Sequence, residues 1–363
     1  MSENNICILH LLGESNDDCG YCHNETTSKL NIYFESMPCS DYEKLMLTGW
    51  RRCGDLLYLQ PEYGDTGCTL RTIILPIEKF QTSRSHRRVL NRFERFLRGE
   101  FVLNGTKLEK STELKPHSFR TELVPATKNP SQEMFNLYKE FQKDEFNENE
   151  DEMEYNSFSF FLGESRMEQD NDNKLGTFWW NWYIDDELIA CSVLDILPST
   201  ISSVYFLYKT PFKALSIGIL AALKEIELCR EMHKSVYSLG LYVHECPRMR
   251  YKAQFKGSQL LCNRTWKYFP IDSVRKQLDD HRNGLEIDEN VIEQEKSQRS
   301  KSSMVCLLNS PVFVDLEKED LTAISGYELF VLSETDENAQ NACEKMLKYV
   351  GTLPTELKYI FVV

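Results

Sequence analysis

An α+β fold with a mixed, largely antiparallel sheet is predicted by three features of the sequence. Between Phe178 and Tyr208, β-branched and aromatic runs replace helical periodicity and give short strands around the turn Asp185-Asp186. Ser216 to Met232 then carries apolar residues at helical spacing and Val236 to Val243 returns as a strand, so a strand–helix–strand crossover lies inside the same sheet. No period of about 20 to 50 residues recurs, which removes solenoids and propellers.

Composition narrows the class. The chain has 363 residues, 41% hydrophobic and 27% charged, within globular limits and long enough for about two domains. A net charge of -14 gives no overall field toward nucleic acid or anionic lipid, so a polyanion has to meet a local patch. The apolar run Ile6 to Leu12 is far too short for a membrane span and no basic segment precedes it, so neither secretion nor anchoring is expected. Twelve dispersed cysteines suit reduced thiols in the cytoplasm, with the nucleus as an alternative address.

The elements fall in order. Residues 1–125 form an N-terminal domain with a cysteine pair, a helix at Asp41 to Leu47, strands at Leu56 to Leu59 and Thr69 to Ile74, and a basic helix from Ser83 to Leu97. Residues 126–275 form a second domain. Its first helix, carrying Met134, Leu137, Tyr138 and Phe141, runs into the acidic stretch Asp144 to Glu154, and the strands Trp179 to Ile184, Leu188 to Leu194 and Ser202 to Tyr208 follow. Residues 276–302 are polar with almost no aromatics and read as a linker or loop. Residues 303–363 give strand, helix and strand, ending on Tyr359 to Val363, and are expected to complete the second domain.

Several groups carry chemistry. Cys19-Gly20-Tyr21-Cys22 spaces two thiols to bind one tetrahedral metal, with further ligands to come from Cys39, Cys53, Cys68 or His23. His23 makes the haem-attachment string CxxCH, but no targeting segment supports that chemistry; a redox dithiol and plain structural cysteines stay open. Arg84, Arg87, Arg88, Arg92, Arg95 and Arg98 alternate with Val89, Leu90, Phe93, Phe96 and Leu97, so one helix face packs and the other is cationic. Such a face is commonly just solvated, yet in an acidic chain it is the place to hold phosphates. Ser216-Ile217-Gly218 opens a helix whose free N–H groups suit a phosphate of an activated acyl donor, a simple Ser216 cap being the alternative. The strands, helix and strand around it resemble the acyl-CoA N-acyltransferase (GNAT) architecture. Arg248, Arg250 and Lys252, three cations in five residues at a strand end, suit a carboxylate or an RNA phosphate, or a charged loop. Asp195 sits among apolar neighbours, where burial raises a carboxyl pKa toward that of a base; bracing a turn is its plainer role.

Taken together, the strings resemble the eukaryotic arginyl-tRNA–protein transferases. The resemblance runs through Cys19 to Cys22, Gly49-Trp50-Arg51-Arg52-Cys53-Gly54, Thr69-Leu70-Arg71 and the basic helix. It continues through Leu188-Ile189-Ala190, Val193 to Pro198, Ser202 to Phe206, Ser216 to Gly218, Ala222 to Ile226, Gly240 to Val243, Cys246-Pro247-Arg248-Met249-Arg250-Tyr251-Lys252 and Leu260 to Cys262. It implies an aminoacyltransferase that moves arginine from arginyl-tRNA to the α-amine of proteins beginning with Asp, Glu or oxidised Cys, marking them for ubiquitin-dependent degradation through the N-degron pathway. It further implies a GNAT-like catalytic domain, no partnership with DNA or membrane, and chemistry that needs no cofactor. By position, Asp195 and Tyr205 take the catalytic roles, and Ser202, Ser203, Ser216, Gly218, Arg248, Arg250 and Lys252 bind substrates. Arg84, Arg87, Arg88, Arg92 and Arg95 hold tRNA, and Cys19, Cys22 and Cys68 hold zinc or an iron–sulfur cluster. The family's second cysteine pair is replaced here by Gly64 and Asp65, with Cys68 in a tyrosine's place; Cys53 replaces a usual serine, and Trp179-Trp180-Asn181-Trp182 replaces a histidine-containing string. The missing pair motivates one rival, a relative that binds tRNA or degradation signals without catalysis, and the GNAT-like architecture leaves a second, a GNAT enzyme using acyl-CoA.

Overall fold

The computed structural model describes residues 6–22, 25–60, 68–163, 165–280, 285, 288–315 and 321–363. The chain opens with an antiparallel hairpin, β1 (Cys7–Asp18) and β2 (Thr26–Ser36), in which Cys7, Leu9 and Leu11 and then Leu30, Ile32 and Phe34 place every second side chain in the core. α1 (Cys39–Leu47), β3 (Arg51–Cys53) and β4 (Leu56–Leu59) follow.

The chain then crosses to another sheet with β5 (Arg71–Pro76), α2 (Arg84–Leu97), the small hairpin β6 (Phe101–Asn104) and β7 (Lys107–Lys110), and β8 (Phe119–Pro125). Next come α3 (Gln132–Phe146), α4 (Tyr155–Leu162), β9 (Gly176–Ile184), β10 (Glu187–Ile196), β11 (Thr200–Tyr208), α5 (Ile217–Glu231) and β12 (Val236–Tyr242). α6 (Pro247–Arg250), β13 (Gln259–Cys262), β14 (Lys267–Pro270) and α7 (Ile271–Asp280) close that half. α8 (Glu289–Asn309), β15 (Pro311–Asp315), β16 (Leu321–Ser325), α9 (Gly326–Leu332), α10 (Glu337–Leu347) and β17 (Tyr359–Val362) end the chain.

Two large sheets result. The first has the order β16-β15-β17-β1-β2-β4-β3 and the second β14-β13-β5-β12-β11-β10-β9-β8. In the second, every pairing is antiparallel except β11 with β12, which α5 joins as a crossover. This is the mixed, largely antiparallel α+β arrangement that the sequence predicts.

Helices cover both faces of the second sheet. Val89, Phe93 and Phe96 of α2 and Leu220, Leu223 and Ile226 of α5 pack on one face with Ala190, Leu194 and Ile196, while Met134, Leu137 and Phe141 of α3 pack on the other with Leu188, Cys191 and Val193. Each such side chain stabilises the fold by about 1.5–3 kcal/mol on burial. A capping box starts α2: the Ser83 hydroxyl accepts from the His86 N–H at 3.1 Å, and the His86 ring accepts from the Ser83 N–H at 3.3 Å. His86 then stacks on Phe255 at 4.9 Å, which fixes the helix against the segment following α6.

The chain is distributed differently from the expected division at 125, 275 and 302. β5 and α2, read as N-terminal, belong to the second sheet, with β5 between β12 and β13. The stretch 276–302, expected as a linker or loop, contains the end of α7 and most of α8, because Val274, Leu278, Ile292 and Leu307 are spaced to bury one side of otherwise polar helices. The tail completes the first sheet rather than the second: β17 pairs parallel with β1, and Tyr349 donates to the Asn31 carbonyl at 2.6 Å. Among the described residues, no helix is long and apolar enough to cross a membrane.

Candidate functional site

The parallel strands β11 and β12 pair only at Thr200↔Val236, Ile201↔Tyr237 and Ser202↔Ser238, although both continue well beyond. β12 keeps its bonds to β5 through a bulge between Ser238 and Leu241, which turns it away from β11. Gly240 at the bulge has φ +81°, where a side chain is strained, and a Cβ there would lie 3.4 Å from the Ser203 carbonyl and 3.8 Å from Lys252 Nζ. Thr200 to Ser202 are buried, whereas Ser203 to Phe206 and Gly240 to Leu241 are half-exposed. The sheet therefore opens between these strands.

Two cations converge on this opening. Arg51, 6% exposed, donates from Nη2 to the Ser238 hydroxyl at 3.2 Å and to the Gly240 carbonyl at 2.9 Å, and among the described residues its Nε has no partner. Lys252 donates to the Leu241 carbonyl at 2.7 Å. Among the described residues neither meets a carboxylate at ion-pair distance; buried Glu225 below them is engaged by Ser192 and Tyr237, each at 2.6 Å. Desolvation, and then the Arg51 charge, push the Lys252 pKa down to about 7. Buried Glu225 and the Cys246 thiol offset only part of that shift, so positive charge is concentrated at the opening, where burying it without a full counter-charge is costly.

The adjacent arginines explain this placement. Alternation along β3 sends Arg51 toward β12 and Arg52 the opposite way. Arg52 grips Asp195 with Nε to Oδ2 at 2.8 Å and Nη2 to Oδ1 at 2.5 Å, and the Thr177 hydroxyl adds a 3.0 Å bond to Oδ1. Asp195 is fully buried and both its oxygens are occupied. It thus joins the two sheets, and the expectation of a carboxylate free to act as base at the amine does not fit this geometry.

Other predicted residues scatter around the opening. Ser202 is buried and Ser203 sits at its edge, while the Tyr205 hydroxyl donates to Gln142 at 3.0 Å and burial pushes its pKa above the ordinary tyrosine range. Ser216 adopts the left-handed conformation at φ 58° without capping α5; its hydroxyl instead accepts from Arg92 at 3.2 Å. The space beside Gly218 is open. Of the three cations after β12, only Lys252 turns inward: exposed Arg248 donates to the Glu145 carbonyl at 3.0 Å, and Arg250 faces Asp279 at 3.6 Å. At the end of α2, Arg95 and the following Arg98 share Glu100, whereas exposed Arg84, Arg87 and Arg88 on the helix meet no carboxylate among the described residues.

The thiols of Cys19, Cys22 and Cys68 lie within 4.8 Å of one another and can hold a metal. Burial alone would raise the Cys19 pKa, but N–H groups of Cys22, Cys68 and Tyr21 aimed at its sulfur bring it down to about 6. Gln60 holds the third ligand's segment, donating to the Cys68 carbonyl at 3.1 Å and accepting from the Leu70 N–H at 2.6 Å. Cys39 is engaged elsewhere, its thiol on the Glu168 carbonyl at 3.1 Å, and Cys53 is outside the cluster. His23, Gly64 and Asp65 lie outside the described residues.

Two family models match the chain: "Arginine-tRNA-protein transferase, N terminus" over residues 17–88 and "Arginine-tRNA-protein transferase, C terminus" over residues 133–262, together more than half of it. The chain belongs to the arginine-tRNA–protein transferase family. It is 42% identical over 113 residues to Arginyl-tRNA--protein transferase 1 of Drosophila melanogaster, covering 30% of this chain and 23% of that protein. With the Saccharomyces cerevisiae protein of the same name it shares 25% over 320 residues, 72% of this chain and 62% of that one. An Aspartate/glutamate leucyltransferase of Campylobacter jejuni is 26% identical over 261 residues, 72% of this chain and 94% of that protein. The chain thus spans about a quarter of the Drosophila relative and under two thirds of the yeast one.

Proposed function

We propose that this chain transfers arginine from arginyl-tRNA to the α-amine of proteins beginning with Asp, Glu or oxidised Cys, in the cytoplasm, and so marks them for degradation. The observation that supports this reading is the pair of buried cations Arg51 and Lys252 at the opening between β11 and β12, neither in an ion pair with a carboxylate among the described residues. An acidic first residue brings a negative charge to these cations, with its α-amine one short side chain away.

The amine attacks the ester carbonyl of the aminoacyl end. A C–N bond forms, the ester C–O bond breaks, and the amine's proton goes to the ribose oxygen of the departing tRNA. An α-amine with a pKa of about 7.7–8.0 is partly neutral near pH 7, so positioning in the opening supplies most of the rate and no strong base is needed. Exposed Arg84, Arg87 and Arg88 hold tRNA phosphates, while Arg92, Ser216 and Gly218 at the start of α5 receive the acceptor end. Tyr205 and Ser203 line the rim. The soft donors Cys19, Cys22 and Cys68 fit zinc or an iron–sulfur cluster, which supplies a structural cross-link there; no step of the transfer is assigned to it.

The match to a bacterial leucyltransferase across most of its length favours testing leucine as a second donor. Purified chain is incubated with labelled arginyl-tRNA or leucyl-tRNA and peptides starting with Asp, Glu or Ala. Arginine reaching only the acidic peptides supports the proposal, and transfer from leucyl-tRNA alone replaces the donor. Binding of tRNA without transfer establishes the non-catalytic reading, and labelling from acetyl-CoA establishes the acyl-CoA reading.

A further inference from the structure

Three thiols leave a tetrahedral centre one ligand short. Cys19 ends its loop at the tip of the β1–β2 hairpin with Cys22, and Cys68 comes from the segment leading into β5. The turn after β12 closes the opposite side: Cys246, with Tyr21, Leu241 and Met249, packs against the buried set Cys19, Cys68, Leu70 and Val243. The Cys246 backbone is fixed as the cap of α6, its N–H on the Val243 carbonyl at 3.3 Å and its carbonyl accepting from Met249 and Arg250 at 2.9 and 3.0 Å. Its thiol is half-buried, is in no disulfide, and lies beyond the 4.8 Å that unites the sulfurs of Cys19, Cys22 and Cys68.

We propose that Cys246 is the fourth ligand of a metal held by Cys19, Cys22 and Cys68. The inference rests on that cluster holding a metal. Closing the tetrahedron requires the Cys246 side chain to turn toward the other three sulfurs. The consequence is mechanical: one ion then joins the tip of the first sheet's hairpin to the turn leading from β12 through Arg248 and Arg250 to Lys252. Order at the metal becomes order at Lys252, although the ion lies outside the reaction.

The full chain is stripped, loaded with one cobalt(II), and read by its thiolate-to-cobalt charge-transfer absorbance, with zinc affinity measured against a chromophoric chelator. Cys246→Ser should lose about a quarter of the band, one thiolate of four, and bind zinc at least about tenfold more weakly, while the metal-free chain keeps its circular dichroism. Cys19→Ser is the reference for losing a ligand within the cluster. An unchanged band and affinity in Cys246→Ser, in a parent that binds one metal, overturns this inference alone. A loss of the quarter in His23→Ala instead assigns the position to His23 and overturns it too. A parent that binds no stoichiometric metal overturns the inference together with the metal reading beneath it.

Discussion

Replacing Asp195 by Asn separates a structural from a catalytic role for the acid that sequence alone points to. The substitution removes the charge facing Arg52 but keeps the shape, so the guanidinium, on a side chain 1% exposed, stays buried with no counter-ion. Removing one partner of a buried pair costs about 3–5 kcal/mol, a large part of the roughly 5–15 kcal/mol that holds a protein folded. At about 2 °C per kcal/mol, the low end of the scale suited to longer chains, the melting temperature falls by about 6–10 °C. Replacing both partners, as Arg52→Met with Asp195→Leu, should restore most of that loss because neither charge is left stranded. The assay pairs thermal melting with single-turnover arginyl transfer, counted per folded molecule below the melting temperature. The reasoning is refuted if Asp195→Asn melts within about 1 °C of the parent yet loses tenfold or more in rate.

Further outcomes follow from the same geometry. Arg87→Glu with Arg88→Glu should weaken tRNA binding and lower the salt slope by about one unit for each phosphate no longer neutralised, whereas Arg95→Glu, whose charge is shared with Glu100, should do much less; equal effects would contradict the pairing on α2. Burial lowers the His86 pKa below its ordinary value, so the folded chain takes up a proton less readily than the unfolded one. Stability should therefore fall as pH drops below about 6.5, and His86→Gln, which preserves the capping geometry, should flatten that limb in denaturant titrations at stepped pH. Cobalt binding by Cys22→Ser should fall at least as far as by Cys246→Ser, since Cys22 lies inside the three-thiol cluster.

Much of the second sheet is legible in the sequence because its signals are local. The aromatic run Trp179 to Ile184, the turn at Asp185-Asp186 and the apolar face of α5 each announce an element before any tertiary neighbour is known. The β1–β2 hairpin is hidden, since beyond Leu11 its strands turn polar and are held by pairing rather than by a continuous apolar pattern. The placement of the tail depends on hydrogen bonds that span most of the chain, such as Trp50 Nε1 on the Thr352 carbonyl, to which no local pattern refers. At the site, Lys252 is legible in a cationic run and Cys19 with Cys22 in their spacing, whereas Cys68 follows from the family resemblance and Arg51 looks like the twin of Arg52. Only strand alternation and the bulge at Gly240 reveal that Arg52 meets a carboxylate while Arg51 meets a hydroxyl and a carbonyl at the opening. Asp195 illustrates the converse: burial is legible, but the partner that occupies its carboxylate comes from the other sheet.

The most direct test of the central claim is the ratio of kcat/KM for peptides beginning with Asp and with Asn, using arginyl-tRNA as donor, in the parent and in Arg51→Met, Lys252→Met and the double variant. An acceptor carboxylate held by two desolvated cations should make the parent favour Asp strongly, and each substitution should reduce that preference by a factor equivalent to about 2 kcal/mol or more, roughly thirtyfold, with the double variant near parity. Transfer that keeps its Asp preference in the folded double variant would contradict the assignment of this opening as the place where the acceptor is read.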